Sequence, residues 1–185
     1  MDALREISTL LKADPFRWRL LGLVRDLRLP DASIGAGFIR NAVWDHLHGR
    51  TGSELLSDVD VIWYDPARPD PETDRSYEAF LGAAEPNVSW SVKNQARMHE
   101  RNGDQPYSSS IHAMRYWPET ATALAAQRSM TDACYIAAPL GTDDLMNLVL
   151  RPTPHFARNR MKDYHKRTQA KGWTSIWPRL TLVTG

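Results

Sequence analysis

Apolar positions recur along the chain at two different periods. Leu4, Ile7 and Leu11, then Leu20, Leu21, Val24 and Leu27, fall three or four apart, which predicts amphipathic helices over 2–12 and 15–28. Asp14-Pro15 between them reads as an N-cap followed by proline at the first helical position. Residues 32–34 predict a short strand, ending in Gly35-Ala36-Gly37. A third helix follows, with Ile39, Ala42, Val43, His46 and Leu47 on one face, and Gly49 and Gly52 end it. The stretch "SDVDVIWYD" (57–65) changes to a strand pattern, because its core is β-branched and aromatic. Beyond it the pattern predicts a helix over 71–84, a strand over 88–93, and a helix or turn over 94–103. Two short helices, 108–117 and 118–127, are separated by Pro118, and the alanines 121–126 favour helix in the second. A strand over 132–138, a short helix over 143–150 with Thr142 as N-cap, and a basic helix over 155–170 complete the chain. Alternating strands and helices predict an α/β or α+β fold.

The strand at 57–65 carries its first chemistry. Side chains alternate faces along a strand, so Asp58 and Asp60 share one. Two like charges held close raise each other's pKa, and a divalent cation between them relieves the repulsion. Ahead of this pair, Gly35-Ala36-Gly37 opens a helix. Helix N-terminal amides and the positive end of the macrodipole form an anion site, and glycine lets backbone approach a phosphate. Arg40, one turn in, has the reach and the two donors for the same phosphate. The turn lacks GK[ST], so it is not a P-loop. Arg40 stands where a dinucleotide fingerprint needs a small residue, which argues against that reading. The glycine turn and Asp-x-Asp together suit phosphates and Mg²⁺, which takes one or two carboxylates plus phosphate oxygens.

Composition narrows the function classes. The 185 residues suggest one domain over 1–185, with N-terminal helices in 1–30 and a basic helical segment in 151–185. A formal net charge of +1 argues against tight non-specific nucleic-acid binding. Cys134 is the single cysteine, so no intramolecular disulfide forms, and the chain fits a reducing cytosol. A charged N-terminus and the lack of a long apolar run predict no signal peptide and no membrane partner.

These residues resemble a known family. "IGAGFIRNAVWDHLHG" followed by "SDVDVIWYD" is similar to the nucleotidyltransferase superfamily typified by DNA polymerase β. Within it the chain resembles a bacterial nucleotidyltransferase-like family through "WSVKNQARMH", "PYSS", "WPETATA", "IAAPLGTDDLMNLVLRPTP" and the terminal "WP". The resemblance implies a mixed β-sheet flanked by helices, with Gly35 and Ala36 near the nucleotide phosphates. It also implies Asp58 and Asp60 as catalytic ligands of Mg²⁺, or of Mn²⁺ in its place. The expected activity moves a nucleoside monophosphate from a nucleoside triphosphate to an acceptor that is a small molecule, RNA or protein.

One position departs from the superfamily. Where a third carboxylate belongs on a later strand, this chain has Ser91, with Glu100 and Asp104 as substitutes in the next segment. That departure keeps a non-catalytic nucleotide-binding module open as an alternative. RNA binding through the basic segment, Arg151 to Lys171, is another. Lys93, Asn94 and the neighbouring Gln95 and Arg97 are candidates for nucleotide or acceptor contact, set against helix capping by Asn94. Structural roles are expected for His99, for Asp143-Asp144 at a helix start, and for Trp44, Trp63, Trp90 and Trp117. A solvated face is expected for the basic segment.

Overall fold

Asp14 ends α1 (Ala3–Ala13) and caps α2 (Pro15–Asp26), accepting from the amides of Phe16 and Arg17 at 3.0 Å. In this computed structural model, residues 2–55 and 57–184 are described; Met1 and Gly185, the ends of the 1–185 reading, lie outside them. The chain continues through β1 (Ser33–Gly35), α3 (Gly37–Leu47), β2 (Val59–Trp63), α4 (Pro71–Ala84), β3 (Trp90–Asn94), α5 (Gln95–Asn102) and α6 (Ser110–Met114). A 3₁₀ turn at Thr120–Thr122 leads to β4 (Ala125–Arg128), β5 (Cys134–Ala137), α7 (Asp143–Met146) and β6 (Val149–Leu150). The C-terminal part is α8 (Pro154–Asn159), α9 (Met161–Lys171), α10 (Trp173–Ile176) and β7 (Thr181–Leu182).

Five strands form one mixed sheet in the order β3-β2-β1-β4-β5. Only β2 and β3 run parallel, joined by the crossover through α4; β1 pairs antiparallel with β2 and β4, and β4 with β5. β6 and β7 make a separate parallel pair. The two faces of β2 separate by residue type. Val59, Val61 and Trp63 join the core with Val92, Ile34 and the apolar stripes of α1, α2 and α3. Asp60 and Ile62 stand on the opposite face, in register with Ser91 and Lys93 of β3. Each fully buried Leu, Ile or Val contributes about 1.5–3 kcal/mol, so the core stripe fixes the register. A slip of one residue would drive Asp60 into the core.

The structure corrects three element readings. Residues 118–127 are a 3₁₀ turn and a strand rather than a helix. Ala125 and Ala126 pair with Gly35 and Ile34 on one side and with Ala137 and Ile136 on the other, and this buried pairing outweighs alanine's helix preference. The helix expected over 143–150 stops at Met146, without a side-chain cap from Thr142, and Val149–Leu150 becomes a strand. The basic helix over 155–170 breaks at Arg160 into α8 and α9. The break lets Tyr164 bury, with its hydroxyl 2.8 Å from the Leu150 carbonyl oxygen and 3.0 Å from that of Val183.

Candidate active site

The turn from β1 into α3 is strained. Ala36 has φ 56° and ψ −125°, a conformation that side chains with a Cβ rarely adopt; such positions cost on the order of 1–3 kcal/mol. The Ala36 amide donates to the Leu124 carbonyl at 3.0 Å, and its own carbonyl accepts from Arg40 at 3.1 Å. No side chain caps α3, so its first-turn amides keep their capacity to bind an anion. Ala36 and Gly37 line a cavity of about 420 Å³ that also contains Asp58 and Asp60. A Cβ on Gly37 would come within 2.8 Å of the Ser57 hydroxyl. Gly35 plays another part. A Cβ there would meet the Trp117 ring at 2.7 Å, and Gly35 is not among the residues lining this cavity. Its lack of a side chain serves packing against Trp117.

Asp58 lies one residue ahead of β2 and is exposed, whereas Asp60 is on the strand and half-buried. Burial holds the Asp60 carboxyl above the usual range, and the neighbouring Asp58 charge adds to that. The Ser91 hydroxyl, Arg167 and Arg40 act in the opposite sense. The two carboxylates are hard oxygen donors opening on one space, and the repulsion between them is what a divalent cation removes. The donor set therefore fits Mg²⁺. Among the described residues no cluster of three or more metal-binding side chains occurs.

Ser91 sits beside Asp60 in the β2–β3 register, the place at which the sequence pattern put it. Neither substitute reaches that place. Asp104 bonds the Tyr107 hydroxyl and lies 3.3 Å from His155 Nε2, and Glu100 is exposed on α5 and does not line the cavity of the two aspartates.

Four further candidates have partners within the chain. Arg40 is buried, with Nη1 donating to the Thr122 hydroxyl at 2.8 Å and Nη2 to Asn41 Oδ1 at 2.9 Å. Its guanidinium lies between Trp44 and Trp173, 4.9 and 4.3 Å from their ring centroids. Burial pulls its pKa down to about 10, leaving it charged at neutral pH. It lines the cavity as fixed charge, with both Nη groups bonded inside the chain and Nε without a partner among the described residues. Asn94 is fully buried: it accepts from Asp65 and Ala96 and donates to the carbonyls of Asp65 and Arg68. Every hydrogen-bonding direction is used, so capping wins over ligand contact. Lys93 Nζ pairs with Glu78 at 2.6 Å, and Arg97 pairs with buried Asp74.

The C-terminal helices supply what the sequence reading set aside. Trp177 Nε1 donates to Asp45 Oδ1 at 2.7 Å, fixing α10 onto α3. This brings Arg167, Lys171 and Trp173 onto the wall of the Asp58–Asp60 cavity. Arg167 Nε donates to Glu119 Oε1 at 2.7 Å, and Glu119 is fully buried. Lys171 makes no ion pair among the described residues. The sequence did hold a signal, since Arg167 and Lys171 are four apart and share a helix face. Other cations of the segment match the solvated reading: Arg151 pairs with Asp144, and Arg160 with Asp163.

A second cavity, of about 290 Å³, adjoins the first. Ala36, Asp60 and Arg167 line both. Its remaining wall comes from β3 and α5 (Ser91, Lys93, Gln95, Met98, Arg101) and from Trp117 and Pro118. Trp117 is therefore a wall of the site as well as a packing partner of Gly35.

Comparison with known proteins agrees with this geometry. The sequence model of a nucleotidyltransferase family matches residues 22–182. A structure described as an NMR structure revealing a CCA-adding enzyme head domain is 32% identical, with a TM-score of 0.87. The match covers 98% of this chain and 96% of that one. The Thermotoga maritima CCA-adding enzyme complexed with tRNA shares the fold at 15% identity and a TM-score of 0.60, over 99% of this chain and 42% of that one. A CCA-adding enzyme complexed with CTP does so at 15% identity and a TM-score of 0.56, over 97% of this chain and 49% of that one. The chain thus spans less than half the length of these two enzymes. No curated protein matches it. The sheet and the family match extend over most of the same residues, and the chain belongs to the nucleotidyltransferase family.

Proposed function

We propose that the protein transfers a nucleoside monophosphate from a nucleoside triphosphate to a hydroxyl acceptor, in a Mg²⁺-dependent reaction. The observation that carries this reading is that the uncapped α3 N-terminus, Asp58, Asp60, Arg167 and Lys171 open on one cavity. The amides of the first α3 turn and the two C-terminal cations bind the triphosphate from opposite walls. Asp58 and Asp60 would hold the metal, which when bound supplies positive charge beside the phosphates and helps pyrophosphate leave. Buried Arg40 adds fixed positive charge behind the carboxylates. Trp173 borders the same cavity and offers an apolar ring edge. The acceptor oxygen attacks the α-phosphorus, the bond to pyrophosphate breaks, and the hydroxyl proton passes to solvent.

The same proposal takes the chain as one domain, since one apolar cluster runs from Ile7 to Leu180. It also places the protein in the cytosol without a membrane partner. No described helix is long and apolar enough to cross a membrane.

Ser91 favours a second reading, in which nucleotide binds without turnover. The structure has a hydroxyl where a third carboxylate would complete a two-metal site, and nothing from Glu100 or Asp104 replaces it. Pyrophosphate release separates the two readings. Purified protein with Mg²⁺, each of the four nucleoside triphosphates and whole cell extract as acceptor source should release pyrophosphate above the extract alone, and the Asp60→Asn variant should not. Triphosphate binding with no release under any of these conditions would select the binding module.

A further inference from the structure

We propose that the second cavity is the acceptor subsite and that its occupant is a small hydroxyl compound bearing a flat ring and a phosphate, of the nucleoside monophosphate class. The inference rests on the triphosphate reading of the first cavity. If the phosphates lie along the α3 N-terminus, a nucleophile must approach from the other side of Asp60. That side is the second cavity, because Asp60 and Arg167 are common to both.

Size comes first. At about 290 Å³ the space is at the small end of ligand pockets. It holds one small molecule, and a chain of net charge +1 carries no broad basic field beyond it for a polyanion. Shape comes second. Trp117, packed in one apolar cluster with Ile62, contributes apolar surface together with Pro118, and Met98 of a separate cluster adds more; such surfaces suit a planar ring.

Charge decides the class. Three cations line the space against a single carboxylate, Asp60. Lys93 is answered by Glu78 and Arg167 by Glu119. Arg101, exposed on α5, makes no ion pair among the described residues. An unpaired guanidinium fork matches a phosphate with two donors. Buried Gln95 uses Nε2 on the Lys93 carbonyl, leaving Oε1 to accept from a ring N–H or a hydroxyl. The ring thus lies against Trp117, its phosphate on Arg101, and a free hydroxyl points to the junction beside Asp60 and Ser91. In the transfer, that hydroxyl oxygen forms the new bond to the α-phosphorus, and pyrophosphate takes the electrons of the broken bond. The proton goes to water, and the product is a phosphodiester.

The test uses the full chain saturated with Mg²⁺ and the non-hydrolysable α,β-methylene ATP. AMP, GMP, CMP and UMP are titrated in turn, followed by the matching nucleosides and a short single-stranded RNA ending in a 3′-hydroxyl. At least one monophosphate should bind without displacing the analogue. Its nucleoside should bind at least tenfold more weakly, and Arg101→Gln should reproduce that loss, with the analogue's affinity as the control for folding. Displacement of the analogue, equal binding of nucleoside and monophosphate, no effect of Arg101→Gln, or binding of the RNA alone would each overturn the proposal. Failure of this analogue and of its GTP, CTP and UTP counterparts to bind would instead remove the triphosphate reading. The acceptor pocket is then judged by monophosphate binding to the free protein and its dependence on Arg101.

Discussion

The two cavities share Asp60 but are built differently. The first is made of rigid parts: a strained backbone turn, an uncapped helix end, and a guanidinium clamped between two tryptophans. Its C-terminal wall is pinned by the Trp177–Asp45 bond and the Glu119–Arg167 pair. The second is bounded by long side chains on α5, including exposed Arg101 and the unbranched side chain of buried Met98. The contrast teaches a division of labour. Fixed dipoles and charges suit a phosphate chain that every nucleoside triphosphate shares, and adjustable side chains suit the selective partner.

Gly35 and Gly37 give the sharpest way to break this comparison. Gly35→Ala should lower stability by about 1–3 kcal/mol or more, because its Cβ would meet Trp117 at 2.7 Å and the Leu124 carbonyl at 3.3 Å. Gly37→Ala meets the exposed Ser57 hydroxyl, which can turn away. It should leave urea unfolding nearly unchanged and weaken triphosphate binding. Equal stability losses in both would erase the distinction between a packing glycine and a site glycine.

Glu119→Gln comes next. Removing the charge partner of Arg167 should cost about 1–3 kcal/mol, read by urea unfolding. It should also weaken ligands of both cavities, since Arg167 borders both. A loss confined to one cavity would show that Arg167 belongs to that one alone. Lys171→Gln should be smaller and one-sided. Stability should not change, triphosphate should bind about fivefold more weakly (about 1 kcal/mol), and nucleoside affinity should stay the same.

The smallest effect concerns Asp60 without metal. Its folded pKa lies above the ordinary 3.8, chiefly through burial. The protonated form therefore stabilises the fold at low pH, and that contribution is lost as the pH rises through the folded pKa. At neutral pH the ionised group is a liability. Asp60→Asn should raise the metal-free Tm at neutral pH by about 1–2 °C, with the gain shrinking through the folded pKa and gone below the ordinary value of 3.8. A Tm that falls at pH 7 would contradict the assigned environment.

Much of the first cavity was legible because its parts are local in sequence. A turn opening a helix and an alternating Asp-x-Asp are short-range patterns, whereas Ser91 was singled out by resemblance to the superfamily and only the β2–β3 register sets it beside Asp60. The partners of Arg40 and Asn94 stay hidden for one reason. The sequence shows a donor one turn into a helix or at a strand end. It does not show that Thr122, 82 positions away, takes one Arg40 donor or that the loop at Asp65–Arg68 takes those of Asn94. Arg167 and Lys171 were assigned to solvent because only the long-range Trp177–Asp45 contact brings α9 and α10 to the site. The Ala125–Ala126 strand was hidden likewise, since its stability lies in partners at Ile34 and Ile136.

The central claim is that Asp58 and Asp60 bind the metal–triphosphate unit. Its most direct measurement is the melting temperature of the wild type and of Asp58→Asn/Asp60→Asn, with each triphosphate, Mg²⁺, or both. At a triphosphate concentration a hundredfold above Kd, the wild type should gain about 2.7 kcal/mol of stability, and only with both ligands present. The double variant should fold and show no such increment. An undiminished metal-dependent shift in that variant would contradict the account.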